Sequence, residues 1–360
     1  MRDLKQLTRE SYRDVITLPE LVAERCVHRH IETATCQACV DACPCNAWVL
    51  DDEQLGIDTE RCDGCNLCVA ACPQGAIQAQ MTPALKSDAD QTVAFYACEL
   101  TGIKTDEGIV PCLHALGLNA IMLLYRRGIR SIIGCSSNCS DCIRADTTSL
   151  SERLEYFNTL LRDRKLPAMQ YRNVTETKWS HLVSSKLQNA RGPSINRRQF
   201  FLRMTHAVIE ESSLLRDPGH GSKGEFIPPG KIMPGQSPAQ LVPFLPQIDP
   251  SRCSGCDACV KLCPHEALSY LTNEQGNYTA YQIVPEACSS CGICIDVCEP
   301  QAVCIKSWAV PEVTRIPLSS NRCRACGVSF HAPTGYAFDA QLCRICAQTN
   351  HHRLLFQIMD

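Results

Sequence analysis

Cys253-x2-Cys256-x2-Cys259-x3-Cys263-Pro264 and Cys288-x2-Cys291-x2-Cys294-x3-Cys298 are the residues of this chain whose types and spacing carry the clearest chemistry. Three thiolates at this spacing can wrap one corner of an iron–sulfur cubane, and a fourth, placed after a short helical turn, points away toward a neighbouring cluster. A second pair lies upstream. Cys62-x2-Cys65-x2-Cys68-x3-Cys72-Pro73 is complete, whereas Cys36-x2-Cys39-x3-Cys43-Pro44 has Thr33 where its first cysteine would stand. Three completions are open: a loop that returns the Cys26 thiolate to the vacant iron, a three-iron cluster, or a ligand from His28 or His30.

These motifs resemble the bacterial dicluster ferredoxin family, each pair forming one module. The resemblance implies four [4Fe-4S] clusters with crossed ligation: Cys253, Cys256, Cys259 and Cys298 for one, and Cys288, Cys291, Cys294 and Cys263 for the next. In the first module it implies Cys26, Cys36, Cys39 and Cys72 for one cluster, and Cys62, Cys65, Cys68 and Cys43 for the other. Glu299 separates Cys298 from Pro300 and is expected to shift that turn by one residue while leaving the thiolates in place. Cys45 and Cys304 read as packed thiols, because a buried free cysteine behaves as a small hydrophobe.

Between the modules, Cys98, Cys112 and Cys135 each follow a short apolar run, and Cys139 and Cys142 follow in the next loop. If those runs are parallel strands, the cysteines converge at the carboxyl edge, where open α/β sheets bind ligands. The segments Phe95-Tyr96-Ala97-Cys98, Val110-Pro111-Cys112 and Gly134-Cys135-x3-Cys139-x2-Cys142 resemble the delta subunit of methyl-viologen-reducing hydrogenase. That resemblance implies a [2Fe-2S] centre and a place in an electron-transfer chain; with five cysteines for four ligand positions, one is spare. Cys135-x3-Cys139-x2-Cys142 also has the spacing of radical S-adenosylmethionine enzymes, but Asp141 stands where that family prefers an aromatic. The segment from Cys142 to Cys253 is also too short and proline-rich for the barrel that would follow. A disulfide reductase is the other enzymatic alternative for Cys98 to Cys142, and the adjacent Cys-Cys pair of heterodisulfide reductase catalytic subunits is missing.

Cys323-x2-Cys326 and Cys343-x2-Cys346 have zinc-ribbon spacing, two knuckles giving four thiolates to one tetrahedral ion. Gly327 follows the first knuckle and Ala347 the second, whereas a rubredoxin-like iron would favour glycine at both, so zinc is expected. His331, His351 and His352 read as surface residues because the site is complete without them.

The elements that must position these residues follow from apolar periodicity. Short runs Thr92 to Ala97, Gly108 to Cys112, Ser131 to Gly134 and Pro167 to Tyr171 alternate with helical patterns, one from Leu113 to Leu124 stopping at Gly128 and one from about Ser149. The expected fold is α+β multidomain: a dicluster module at residues 20–82, a small parallel α/β domain at 90–172, a linker or partner arm at 173–247, a second dicluster module at 248–310 and the zinc ribbon at 318–350. A helix from about Asn196 to Ser212 is expected within the arm, its Arg197 and Arg198 a candidate contact for a partner.

Composition narrows the function. With 27 cysteines in 360 residues and only 6% aromatics, metal centres rather than large aromatic cores hold much of the chain. Secreted disulfide scaffolds are short chains with a signal peptide, and residues Met1 to Glu20 contain no apolar run, so a cytoplasmic location without a membrane span is expected. A net charge of −3 before cluster ligation argues against nucleic acid as a partner. No acid–base constellation or glycine-rich nucleotide fingerprint occurs. The expected function is an iron–sulfur electron relay between a donor and the catalytic subunit of a multisubunit oxidoreductase, without catalysis of its own.

Overall fold

The computed structural model describes residues 18–51, 55–88, 91–105, 107–142, 144, 149–185, 226–233, 239–335 and 341–349. The expected Asn196–Ser212 helix, Arg197, Arg198, His351 and His352 lie outside these residues. The chain divides into two compact units, Met1–Ala23 with Gln37–Ile227, and Glu24–Cys36 with Pro228–Asp360. Among the described residues no helix is long and apolar enough to cross a membrane.

In the first unit, strands β1 (Glu20–Leu21), β2 (Trp48–Leu50), β3 (Leu55–Ile57) and β4 (Ile77–Gln78) form two antiparallel pairs, β1 with β4 and β2 with β3. Short helices Ala38–Asp41 and Leu67–Ala71 pack beside them. Cys39, Cys43, Cys68 and Cys72 share one apolar cluster with Trp48 and Ile77, so cysteine side chains supply much of this small core.

The same unit continues into a sheet of β5 (Ala84–Asp88), β6 (Gln91–Cys98), β7 (Ile109–Val110), β8 (Ser131–Cys135) and β9 (Gln170–Asn173). β6, β7, β8 and β9 run parallel, as the four apolar runs predict, while β5 adds an antiparallel edge upstream of the expected boundary. The helical pattern from Leu113 is broken in two at Gly117, into a turn at Leu113–Ala115 and a helix at Leu118–Arg126. A Cβ on Gly117 would lie 3.1 Å from the Ala70 Cα, so the break lets helix Leu67–Ala71 approach closely. Helix Leu150–Asp163 opens with a reciprocal capping box between Ser149 and Glu152, worth about 1 kcal/mol. Residues 173–185, assigned from sequence to the arm, finish β9 and form helix Glu176–Ser184, whose Trp179 is buried against Phe95 with ring centroids 6.4 Å apart.

The second unit repeats the plan of the first four strands. β10 (Val242–Ile248), β11 (Leu268–Thr272), β12 (Tyr278–Ile283) and β13 (Val303–Ala309) form pairs β10 with β13 and β11 with β12, with helices Ala258–Lys261 and Ile293–Asp296 between them. The hairpin β14 (Arg315–Arg322) and β15 (Ser329–Pro333) extends the second pair into one sheet, ordered β11-β12-β14-β15. Segments read from sequence as a module and a separate ribbon therefore share a sheet. Gly255 shows how close they are: a Cβ there would fall 2.1 Å from the His331 carbonyl oxygen, and its φ of +69° already disfavours a side chain.

Candidate metal centres

In the second unit Cys253, Cys256, Cys259 and Cys298 line one cavity, and Cys263, Cys288, Cys291 and Cys294 line another. Each set of four joins cysteines from both motifs. The backbone around them repeats. Gly255 and Asp257 in the first motif, and Ser290 and Gly292 in the second, all have positive φ. Such alternation turns successive N–H groups inward, a geometry that receives anionic groups, and the N–H groups of Gly255, Ser290 and Ile293 donate to the sulfurs of Cys253, Cys288 and Cys291.

The last cysteine of each motif has its own signature. Ala267 N–H donates to Cys263 Sγ at 3.2 Å, Ala302 N–H to Cys298 Sγ at 3.1 Å, and Ala47 and Ala76 N–H to Cys43 and Cys72 Sγ, both at 3.3 Å. Each turn carries a residue at positive φ three positions after the cysteine: Asn46, Gly75, Glu266 and Gln301. The turn after Cys298 is thus the same as the other three, and Glu299 does not shift it, because the turn is closed by backbone and sulfur hydrogen bonds that do not depend on where proline falls.

The complete motif of the first module follows the same rule, with Gly64 and Asn66 at positive φ and the N–H groups of Gly64 and Leu67 donating to Cys62 and Cys65. The Trp48 side chain donates to Cys68. The incomplete motif departs from it: Gln37, in the place of Asn66, has φ −122°. Cys26 precedes helix Val27–His30, and His28 Nε2 lies 2.7 Å from the Cys36 carbonyl oxygen, so one imidazole nitrogen is engaged by backbone. Thr35 donates from N and Oγ1 to the Asp296 carboxylate at 3.0 and 2.8 Å. Cys45 is half-buried, whereas Cys304 is exposed on β13 rather than packed as expected.

In the middle sheet Cys98 ends β6, Cys112 follows β7 and Cys135 ends β8, all at the carboxyl edge of parallel strands. Leu100 and His114 N–H groups donate to the Cys98 and Cys112 sulfurs, the pattern seen in the cubane motifs. Cys139 and Cys142 flank a single turn and are half-buried. Cys135 differs, being 1% exposed within an apolar cluster with Phe95, Ile133 and Trp179.

Arg144 lies beside these centres although no motif marks it. Its side chain is 6% exposed, with Nε 2.7 Å from Asp63 Oδ2 and Nη1 2.9 Å from Glu99 Oε1. Burial alone would raise the Asp63 carboxyl, but the guanidinium outweighs it and holds that group below the ordinary carboxylate range. No motif announces this arginine, since both of its partners are distant in sequence.

Cys323, Cys326, Cys343 and Cys346 converge, their sulfurs all within 4.8 Å of one another and those of Cys326 and Cys343 3.8 Å apart. A tetrahedral ion with metal–sulfur bonds of about 2.3 Å sets its sulfurs about 3.8 Å apart, so the four fit one ion. Backbone N–H groups around the knuckles, that of Cys343 first, hold the Cys323 thiol down at about 5. His331 is not a free surface residue: its side chain is 15% exposed and its Nε2 lies 2.8 Å from Asp257 Oδ1.

Burial pushes the cubane-motif thiols up, Cys253 to about 11 and Cys68, Cys259 and Cys288 to about 12, and Cys112 in the middle sheet to about 11. Without metal these groups are protonated and poor nucleophiles; iron would supply the positive charge that ionises them.

The family described as "4Fe-4S binding domain" matches residues 55–78, and the "4Fe-4S dicluster domain" matches residues 252–303. The chain thus carries 4Fe-4S ferredoxin-type domains at both places within a mixed α/β fold. It is 29% identical over 94 residues to "Putative oxidoreductase UacF" of Escherichia coli (strain K12), a match spanning 26% of this chain and 13% of that protein. It is 29% identical over 144 residues to "Electron transport protein HydN" of the same strain, spanning 36% of this chain and 77% of HydN.

Proposed function

We propose that the chain is an electron-transfer protein that relays single electrons between a donor and a catalytic subunit of an oxidoreductase. One observation carries this reading: in the second unit, eight motif cysteines surround two cavities, four to each, with backbone N–H groups directed at their sulfurs. Bound there, [4Fe-4S] clusters would accept and release one electron at a time. The protein's part is to hold the thiolates, to direct N–H dipoles that stabilise the added negative charge, and to keep water from the sulfurs. The printed name of HydN, an electron transport protein, supports the same role.

The crossed ligand sets extend to the first module, with Cys26 completing Cys36, Cys39 and Cys72, and Cys43 completing Cys62, Cys65 and Cys68. The middle centre is a [2Fe-2S] cluster on Cys98, Cys112, Cys139 and Cys142, with Cys135 the spare, supported by its place in the apolar cluster. The C-terminal thiolates hold zinc. Thiols kept reduced suit the cytoplasm. A disulfide reductase at Cys98 to Cys142 is disfavoured because burial raises both Cys98 and Cys112, where a nucleophile needs a lowered thiol. A radical enzyme is disfavoured by Asp141, which stands where that family prefers an aromatic.

Anaerobic reconstitution tests the proposal. The isolated protein should bind about sixteen irons in cubanes and about two more in the middle centre, and pass electrons from dithionite to an artificial acceptor. Turnover of a disulfide at enzymatic rates, or release of 5′-deoxyadenosine from S-adenosylmethionine, would show an enzyme instead.

A further inference from the structure

We infer that Arg144 is a charged junction between two redox centres, the one on the Cys62–Cys68 motif and the one in the middle sheet. This rests on the proposed [2Fe-2S] reading of the middle cysteines. The guanidinium joins the two sites directly. Its Nε binds the carboxylate of Asp63, between Cys62 and Cys65; its Nη1 binds Glu99, next to Cys98, at 2.9 Å, and the carbonyl of Pro111, next to Cys112, at 2.8 Å. Cys65 and Cys112 also belong to one buried cluster with Leu67 and Ala115, so apolar side chains connect the two sites.

A cation 6% exposed between two centres is poorly screened. Each centre gains one negative charge when reduced, so Arg144 favours the reduced form of both while it offsets Asp63 and Glu99. Transfer between them moves one electron, with no bond formed or broken and no proton required; dithionite supplies the electron and an artificial acceptor removes it. Arg144 acts here as a positioning residue, holding both ligand loops in register and raising both potentials.

The experiment is an EPR-monitored redox titration of the full reconstituted chain. Arg144→Met should lower the potentials of the Cys62-motif centre and the middle centre, each by about tenfold in the one-electron equilibrium, or 59 mV. The second-module centres should stay in place, and Arg144→Lys should restore most of the shift. If Arg144→Met does not retain iron, Asp63→Asn and Glu99→Gln decide: the first should raise chiefly the Cys62-motif centre and the second chiefly the middle one. With iron retained, an unmoved potential at either centre overturns the junction, as does an equal shift in the second module; so do unmoved potentials in both carboxylate variants. A wild-type spectrum lacking any signal abolished by Cys98→Ser overturns the reading of the middle site, and the junction with it.

Discussion

The imidazole of His331 donates to the carboxylate of Asp257 across 2.8 Å, fastening strand β15 to the loop between Cys256 and Cys259. The Tyr281 hydroxyl donates to the same oxygen at 2.7 Å. Burial alone would raise the Asp257 carboxyl, yet these hydrogen bonds hold it below its ordinary range. The β14–β15 hairpin thus braces the loop between Cys256 and Cys259. His331→Ala should weaken this brace by about 2 kcal/mol, the scale of a hydrogen bond to a charged group. Chelator-driven loss of visible absorption should quicken for the cluster on Cys253, Cys256, Cys259 and Cys298 before its neighbour on Cys263 and Cys288. Equal loss from both clusters would contradict this.

The ribbon should hold one zinc per chain, with sulfur ligands alone at about 2.3 Å. X-ray absorption at the zinc edge reads both. Cys326→Ala should release the ion and reproduce the His331→Ala phenotype, because the hairpin that presents His331 is closed by the knuckle. Iron in place of zinc after expression in zinc-replete medium would refute the assignment.

Cys135→Ala should keep the middle centre, while Cys98→Ser, Cys112→Ser, Cys139→Ser and Cys142→Ser should each abolish or convert it. Cys135→Ser is the informative counterpart. A hydroxyl in the apolar cluster of Phe95 and Trp179 costs about 1–3 kcal/mol if it finds no partner, so stability should fall while the spectrum is kept. Loss of the centre in Cys135→Ala would reverse the ligand choice.

Cys26→Ala should cost the first module one cubane or leave a three-iron cluster, readable as a new signal in the oxidised protein. Cys45→Ala should change neither iron content nor spectrum. Should Cys45→Ala be the variant that loses iron, the loop completion through Cys26 is wrong.

What the sequence determined by itself is whatever is local. A cubane motif places its first three cysteines within seven residues, so spacing alone marks the candidate ligands of a complete motif, and the recurring positive-φ positions after Cys62, Cys253 and Cys288 follow from the same short segment. The parallel strands that end at or just before Cys98, Cys112 and Cys135 were legible for a similar reason, since each apolar run is read within a few residues. Only the tertiary structure decided what depends on distant neighbours. Cys135 is buried in one apolar cluster with Trp179, which lies in a segment read from sequence as linker. Arg144 is paired with Asp63 and Glu99, and His331 with Asp257, partners that no periodicity connects. Burial and charge pairing are properties of the folded surroundings, and a single residue in a row of letters carries neither.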